Sequence, residues 1–140
     1  MQPSDEGRAV PGAAIAVVAE ILYLANLLIA PGFAFALLLL LFLHRRRDVP
    51  PLARSHLEQT LSASLWAGLL LILVASLILV LGGMHGAHTW VILILYFTLC
   101  HSTLVVFGAY GLAKAMAGQC WRYPLVGRPL ARGCREIRWQ

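Results

Sequence analysis

Apolar residues in this chain run in long blocks instead of alternating with polar ones. Residues 57–81 form one such block, and from Leu65 onward only Gly68 and Ser76 interrupt it. A stretch of that length crosses a hydrocarbon core of about 30 Å at about 1.5 Å per residue. Residues 89–113 form a second block, and residues 82–88 between them carry three glycines that favour a turn. The pattern predicts a helical hairpin.

The first apolar block, residues 13–43, would be about 46 Å long as one straight helix, half as long again as the core. Something must break or tilt it. Pro31-Gly32 lies mid-block; Pro disfavours helix in the residue before it, and Gly tolerates a reversed backbone. The preferred reading is a hairpin with helices over residues 13–29 and 33–44. Its second helix is short enough that Arg45, Arg46 and Arg47 must snorkel or the bilayer thin. The alternative is a single kinked, tilted helix, giving three spans.

Composition agrees with a membrane solvent. The 140 residues are 60% hydrophobic and 12% charged, too few charges to cover a soluble domain of this size. The net charge of +5 does not point to nucleic acid, because the charges flank apolar blocks, where they anchor spans and meet anionic lipid. Asp5 and Glu6 give the amino terminus the wrong sign for a secretory signal, so the first block reads as retained. Cys100, Cys120 and Cys134 fit no disulfide framework and no zinc pattern.

Four of the eleven Lys and Arg residues fall in residues 45–54, six in 114–138, and only Arg8 elsewhere. Both basic segments are expected in the cytoplasm by the positive-inside rule. Two spans separate them, so parity also places them on one side. The expected organisation is an amino-terminal tail (1–12), a transmembrane domain (13–117) and a basic tail (118–140) at the membrane surface. In that tail Arg128, Arg132, Arg135 and Arg138 fall on one side at helical spacing, with Leu130, Cys134 and Ile137 on the other. Gly133 and Pro129 weaken the helical pattern. Trp121, Tyr123 and Trp139 are residue types that settle at headgroup level.

The order of several segments carries a resemblance. These are Glu20-Ile21-Leu22-Tyr23-Leu24, His44-Arg45-Arg46-Arg47-Asp48, Ser55-His56-Leu57-Glu58-Gln59-Thr60, Lys114-Ala115-Met116-Ala117-Gly118 and Trp121-Arg122-Tyr123-Pro124-Leu125. Together, over residues 20–129, they resemble a family of small bacterial four-helix membrane proteins of unknown function. That family is distantly similar to the small four-helix component of the chloroplast protein-import apparatus. The resemblance implies four spans with both ends cytoplasmic and supplies no catalytic residues. The expected fold is all-α: a membrane four-helix bundle of two hairpins with a basic amphipathic tail.

Candidate chemistry is sparse. His85 and His88, with Met84 beside them, suit a soft metal, but further ligands are lacking and a polar, solvent-exposed turn is the preferred reading. A bis-histidine haem is excluded, because no second histidine shares the depth of His101. Glu20, Asn26, Thr98 and His101 are polar residues within apolar helices, where ionisable groups call for a functional hypothesis. A Glu20–His101 pair carrying protons or binding a polar ligand is one reading. The preferred one makes His101 a hydrogen bond to a neighbouring helix. Small residues, Ala63 with Ala67, Ser64 with Gly68, and Ala109, Ala113 and Ala117, mark packing faces.

No nucleophile with its base, phosphate loop, paired carboxylates or metal cluster is legible, so the expectation is a protein that is not an enzyme and needs no cofactor. The function expected first is an accessory, assembly or stabilising subunit of a larger bacterial inner-membrane complex. Its partners would be lipid and other membrane subunits or copies of itself, and not nucleic acid. A small transporter or channel using Glu20, Asn26 and His101 is the second reading.

Overall fold

The structure, a computed structural model, describes residues 10–130, 133 and 134. Four helices account for it, with no strand among the described residues: α1 (Ala13–Leu28), α2 (Phe33–Arg45), α3 (Pro51–Gly82) and α4 (Ala87–Met116). The α1–α2 turn reverses at Gly32, whose φ of 82° suits glycine, and the Gly32 N–H donates to the Asn26 side chain at 2.9 Å. Prolines open α3, where a missing N–H does no harm. Thr89 closes the α3–α4 turn by donating to the Gly82 carbonyl at 2.7 Å.

The helices differ greatly in length. At about 1.5 Å per residue, the 16 residues of α1 rise about 24 Å and the 13 of α2 about 20 Å. The 32 residues of α3 and the 30 of α4 rise about 48 and 45 Å by the same measure. Among the described residues, only α3 and α4 are long and apolar enough to cross a membrane by length and composition. All four elements meet at one end: Ala16, Leu52 and Ala115 pack together, then Ala19, Leu38 and Leu57. Further along, Tyr23 and Leu27 pack with Ala63, Ala67 and Leu104. Beyond Gly68 and before Cys100, α3 and α4 continue as a pair, and most of their side chains are exposed. The molecule tapers from four helices to two.

Within that free pair, residues Leu69–Val74 of α3 wind as a π-helix. A π-turn displaces backbone carbonyls from their usual partners. Tyr96 on α4 supplies a donor there, its hydroxyl meeting the Leu70 carbonyl at 2.6 Å.

The packing face of α4 differs from the expected one. Ala109, Ala113 and Ala117 are exposed, while Leu104, Gly108, Gly111 and Ala115 are buried against α1. The two glycines are there because of what lies opposite. A methyl at Gly108 would sit 2.6 Å from the Tyr23 ring, and one at Gly111 would sit 2.7 Å from Glu20 Oε2. On α3, Ala63 and Ala67 do face the core.

The tail also departs from expectation. Residues 119–130 form no helix; they fold back over the start of α3, burying Tyr123 and Val126. Arg128 therefore lies on an extended strap and not on a helical basic face. Arg132, Arg135, Arg138 and Trp139 lie outside the described residues. Trp121 is half-buried against Tyr110, ring centroids 4.6 Å apart, and its indole N–H is buried with no partner among the described residues, so it packs inward on the bundle. The strap is closed by a disulfide that the sequence reading excluded, joining Cys120 to Cys134 with Cα atoms 5.7 Å apart. The fold-back brings the two cysteines together; their spacing alone gives no sign of it.

Gly111→Ala should destabilise the protein by about 1–3 kcal/mol, the usual range for overpacking, because the added methyl meets Glu20 and Tyr123. Gly68→Ala adds a methyl into open space within a helix and should be neutral or stabilising by up to about 1 kcal/mol. Thermal unfolding of both variants in one detergent checks the pair.

Candidate functional site

Glu20, seven residues into α1, is fully buried. A buried carboxyl group requires partners. One comes from α3, where His56 Nδ1 lies 2.6 Å from Glu20 Oε1. The other comes from the strap, where the Tyr123 hydroxyl donates to Oε2. His56 Nε2 lies 2.9 Å from the Gln119 carbonyl oxygen, just before the disulfide. A carbonyl cannot donate, so Nε2 carries a hydrogen. The Glu20–His56 contact then holds a single proton, as imidazolium with carboxylate or as imidazole with carboxylic acid. Either way the group is neutral overall.

Its surroundings extend the same logic. Gln59, one turn beyond His56, is fully buried; its Nε2 donates to the Arg128 carbonyl at 2.5 Å and its Oε1 accepts from the Tyr123 N–H at 3.4 Å. Ser62 donates to the Val126 carbonyl at 2.8 Å. Tyr23, edge-on to Tyr123 at 5.3 Å, donates to the Leu104 carbonyl at 3.1 Å. A strap without regular structure has no ladder for its backbone groups. The α3 side chains Gln59 and Ser62 satisfy them instead. Burial first, then the nearby Glu20 carboxylate, push the Tyr123 phenol far above its ordinary range.

The residues singled out from sequence are not gathered in one place. Glu20 pairs with His56 and Tyr123, not with His101. His101 instead stacks on Phe97 and bonds through Nε2 to the Leu27 carbonyl on α1, at 3.1 Å. Asn26 holds the α1–α2 turn, and Thr98 is exposed on α4. Arg45, the last residue of α2, and Arg46 and Arg47 just beyond it are exposed at the four-helix end. Met84 and His85 are exposed in the turn and His88 is exposed at the start of α4, and no group of three potential metal ligands occurs among the described residues.

His56, Gln59 and Tyr123 were the residues missed. A signal existed for the first: Glu20 is seven residues into its helix and His56 five into α3, so the two share a depth at which a buried acid needs a partner. Nothing in the spacing of Tyr123 predicts that the tail turns inward.

A family model matches residues 13–130, nearly the whole described structure. The chain belongs to the magnetosome magnetite crystal formation protein family. This agrees with the small bacterial family read from segment order, and the match spans all four helices and the strap. No curated protein matches the chain, and neither does any solved structure.

Tyr123→Phe removes one donor from the buried Glu20 carboxyl group and should destabilise the protein by about 1–3 kcal/mol near neutral pH, the range for leaving a buried acceptor unsatisfied. The fold holds the phenol proton more tightly than the unfolded chain does. That contribution is fully present below the unfolded pKa of about 10 and is lost as pH rises above it. Melting temperature in detergent should thus fall more steeply above pH 10 in the wild type than in Tyr123→Phe, as paired thermal scans from pH 7 to 11 would reveal.

Proposed function

We propose that the chain is a non-catalytic accessory subunit in the bacterial inner-membrane system where magnetite crystals form, spanning the bilayer several times with its four-helix end cytoplasmic. The observation that carries the membrane reading is the free α3–α4 pair. Ile72, Val80, Leu81 and Leu99 are each about 70–80% exposed, and their neighbours are nearly all apolar. Contiguous apolar surface on that scale needs hydrocarbon or another protein around it. The same holds for the outer face of α2, where Phe33, Leu37, Leu40 and Leu43 are exposed.

The accessory role rests on where the polar groups point. Glu20, His56, Gln59, Ser62, Tyr23, His101 and Tyr96 bond to one another or to backbone of neighbouring elements. Such groups hold helices together. A transporter needs a continuous polar route, yet Glu20 and the Leu27 carbonyl that His101 reaches are seven residues apart, about 10 Å along α1. Small membrane subunits that serve crystal growth by packing beside other proteins fit both the family and this surface.

Charge and sulfur make competing claims on the four-helix end. Arg45, Arg46 and Arg47 and the basic tail favour the cytoplasm. The Cys120–Cys134 disulfide lies at that same end, and disulfides persist in oxidising compartments. We give the charge greater weight, because it sets topology during insertion, whereas a cytoplasmic disulfide is open to reduction by the thiol pool.

A reporter active only in the periplasm should stay silent when fused after Gln140, and activity there would invert the proposed orientation. Extraction of the protein in mild detergent from a magnetite-forming bacterium should bring stoichiometric membrane partners with it. Recovery of only copies of itself would favour the transporter reading.

A further inference from the structure

The step at which α1 and α2 stop and α3 and α4 continue leaves a cavity of about 550 Å³. It lies between the α1–α2 turn, α3 and α4, and its lining includes Asn26, Phe35, Ser64, Phe97 and His101. Around it Phe33, Leu65, Leu69 and Ile72 are exposed and apolar. A ligand would therefore arrive from hydrocarbon, under the membrane-spanning reading above.

The polar groups at this cavity are incompletely engaged. Ser64 is only 4% exposed, and its hydroxyl is buried with no hydrogen-bond partner. Asn26 commits its Oδ1 to the Gly32 N–H, leaving Nδ2 as a donor. His101 commits Nε2 to the Leu27 carbonyl, leaving Nδ1 as an acceptor in the neutral ring. A bare acyl chain filling the cavity would leave all three unmet, at a penalty for buried polar groups.

Among the described residues, no Lys, Arg, Asp or Glu lines the cavity. A phosphate or carboxylate headgroup would thus be buried without a counter-charge, which is strongly unfavourable. A neutral head with separated oxygen acceptors fits better. The stacked Phe97 and His101 rings, 5.5 Å apart and 9° from parallel, offer a flat face of aromatic character, on which a planar ring packs well.

We propose that this cavity binds an isoprenoid quinone, its ring oxygens accepting hydrogen bonds from Ser64 and Asn26 and its apolar tail running out along α3. In the quinol form a ring hydroxyl donates to His101 Nδ1. Pocket volumes of about 300–1,000 Å³ are usual for small-molecule sites, so the cavity admits a single ring with the first part of its tail.

The test uses the full chain in nanodiscs, titrated with a decyl-substituted benzoquinone and, in parallel, with decanol as a tail of equal length without the ring. The expected result is saturable quinone binding at least tenfold tighter than decanol. Ser64→Ala should weaken quinone binding roughly tenfold, the effect of one hydrogen bond. It should leave the melting temperature of the ligand-free protein unchanged or higher, because that hydroxyl bonds nothing in the fold. Quinone binding that is absent, no tighter than decanol, or equal in Ser64→Ala overturns the proposal. Such a failure is distinguishable from a failure of the membrane reading, which would appear earlier as a protein that partitions into the aqueous phase without detergent.

Discussion

The fold turns on one buried carboxyl group. Glu20 sits where α1, α3 and the returning strap meet, and His56 and Tyr123 each donate or share a proton with one of its oxygens. Removing either partner would strand a buried polar group, whereas the complete set is neutral and fully bonded. Gly111 follows from it, since α4 must approach closely enough to cover the carboxyl group and any larger residue would strike it. The strap follows as well, because Tyr123 reaches Glu20 only if the chain after α4 turns inward. Buried polar groups are retained in some proteins because they select a single arrangement over near-equivalent apolar packings. Here the arrangement selected is the register of α1 against α3, and of both against residues 119–130.

Most of the helical plan is legible in the sequence, for a physical reason. Long apolar blocks ended by Pro, Gly or Arg have few folded alternatives, and Pro31-Gly32 breaks a block too long for one straight helix. What sits inside the bundle was much less legible. The choice of Ala109, Ala113 and Ala117 as a packing face of α4 followed small-residue spacing, but the buried stripe is set by where Tyr23 and Glu20 need room. Glu20 is legible as anomalous, and the hydrogen bond of His101 to a neighbouring helix is as expected, but the alternative pairing of Glu20 with His101 is not formed: His101 stands out because it lies deep in an apolar helix, whereas His56, the true partner, looks like an ordinary polar residue near a helix start.

The tail misled for a different reason. Arg128, Arg132, Arg135 and Arg138 have helical spacing, but spacing describes a helix only if the backbone is free to form one. Between Gly118 and Pro129 the strap is held by Gln59 and Ser62 through its own carbonyls. Those bonds are tertiary and have no local signature. The disulfide belongs with them, because cysteines fourteen residues apart become neighbours only once the strap is in place. Arg128 therefore lies on a structured, crosslinked segment and not on an independent surface helix.

The unequal helix lengths tie these features together. An α1–α2 hairpin of full length would cover His101 and Ser64 with its own side chains, and the cavity would not exist. A shorter one would fail to bring Leu27 to His101, and α4 would lose its bond to α1 at that depth. The hairpin stops where Asn26 can accept the Gly32 N–H and His101 can donate to the Leu27 carbonyl at the end of α1, so a single level serves as turn, helix junction and cavity wall. Above that level two helices displace less lipid than four do below it. In a bilayer, a cross-section that is wider in the leaflet at the basic end packs with least strain where that leaflet is the convex one.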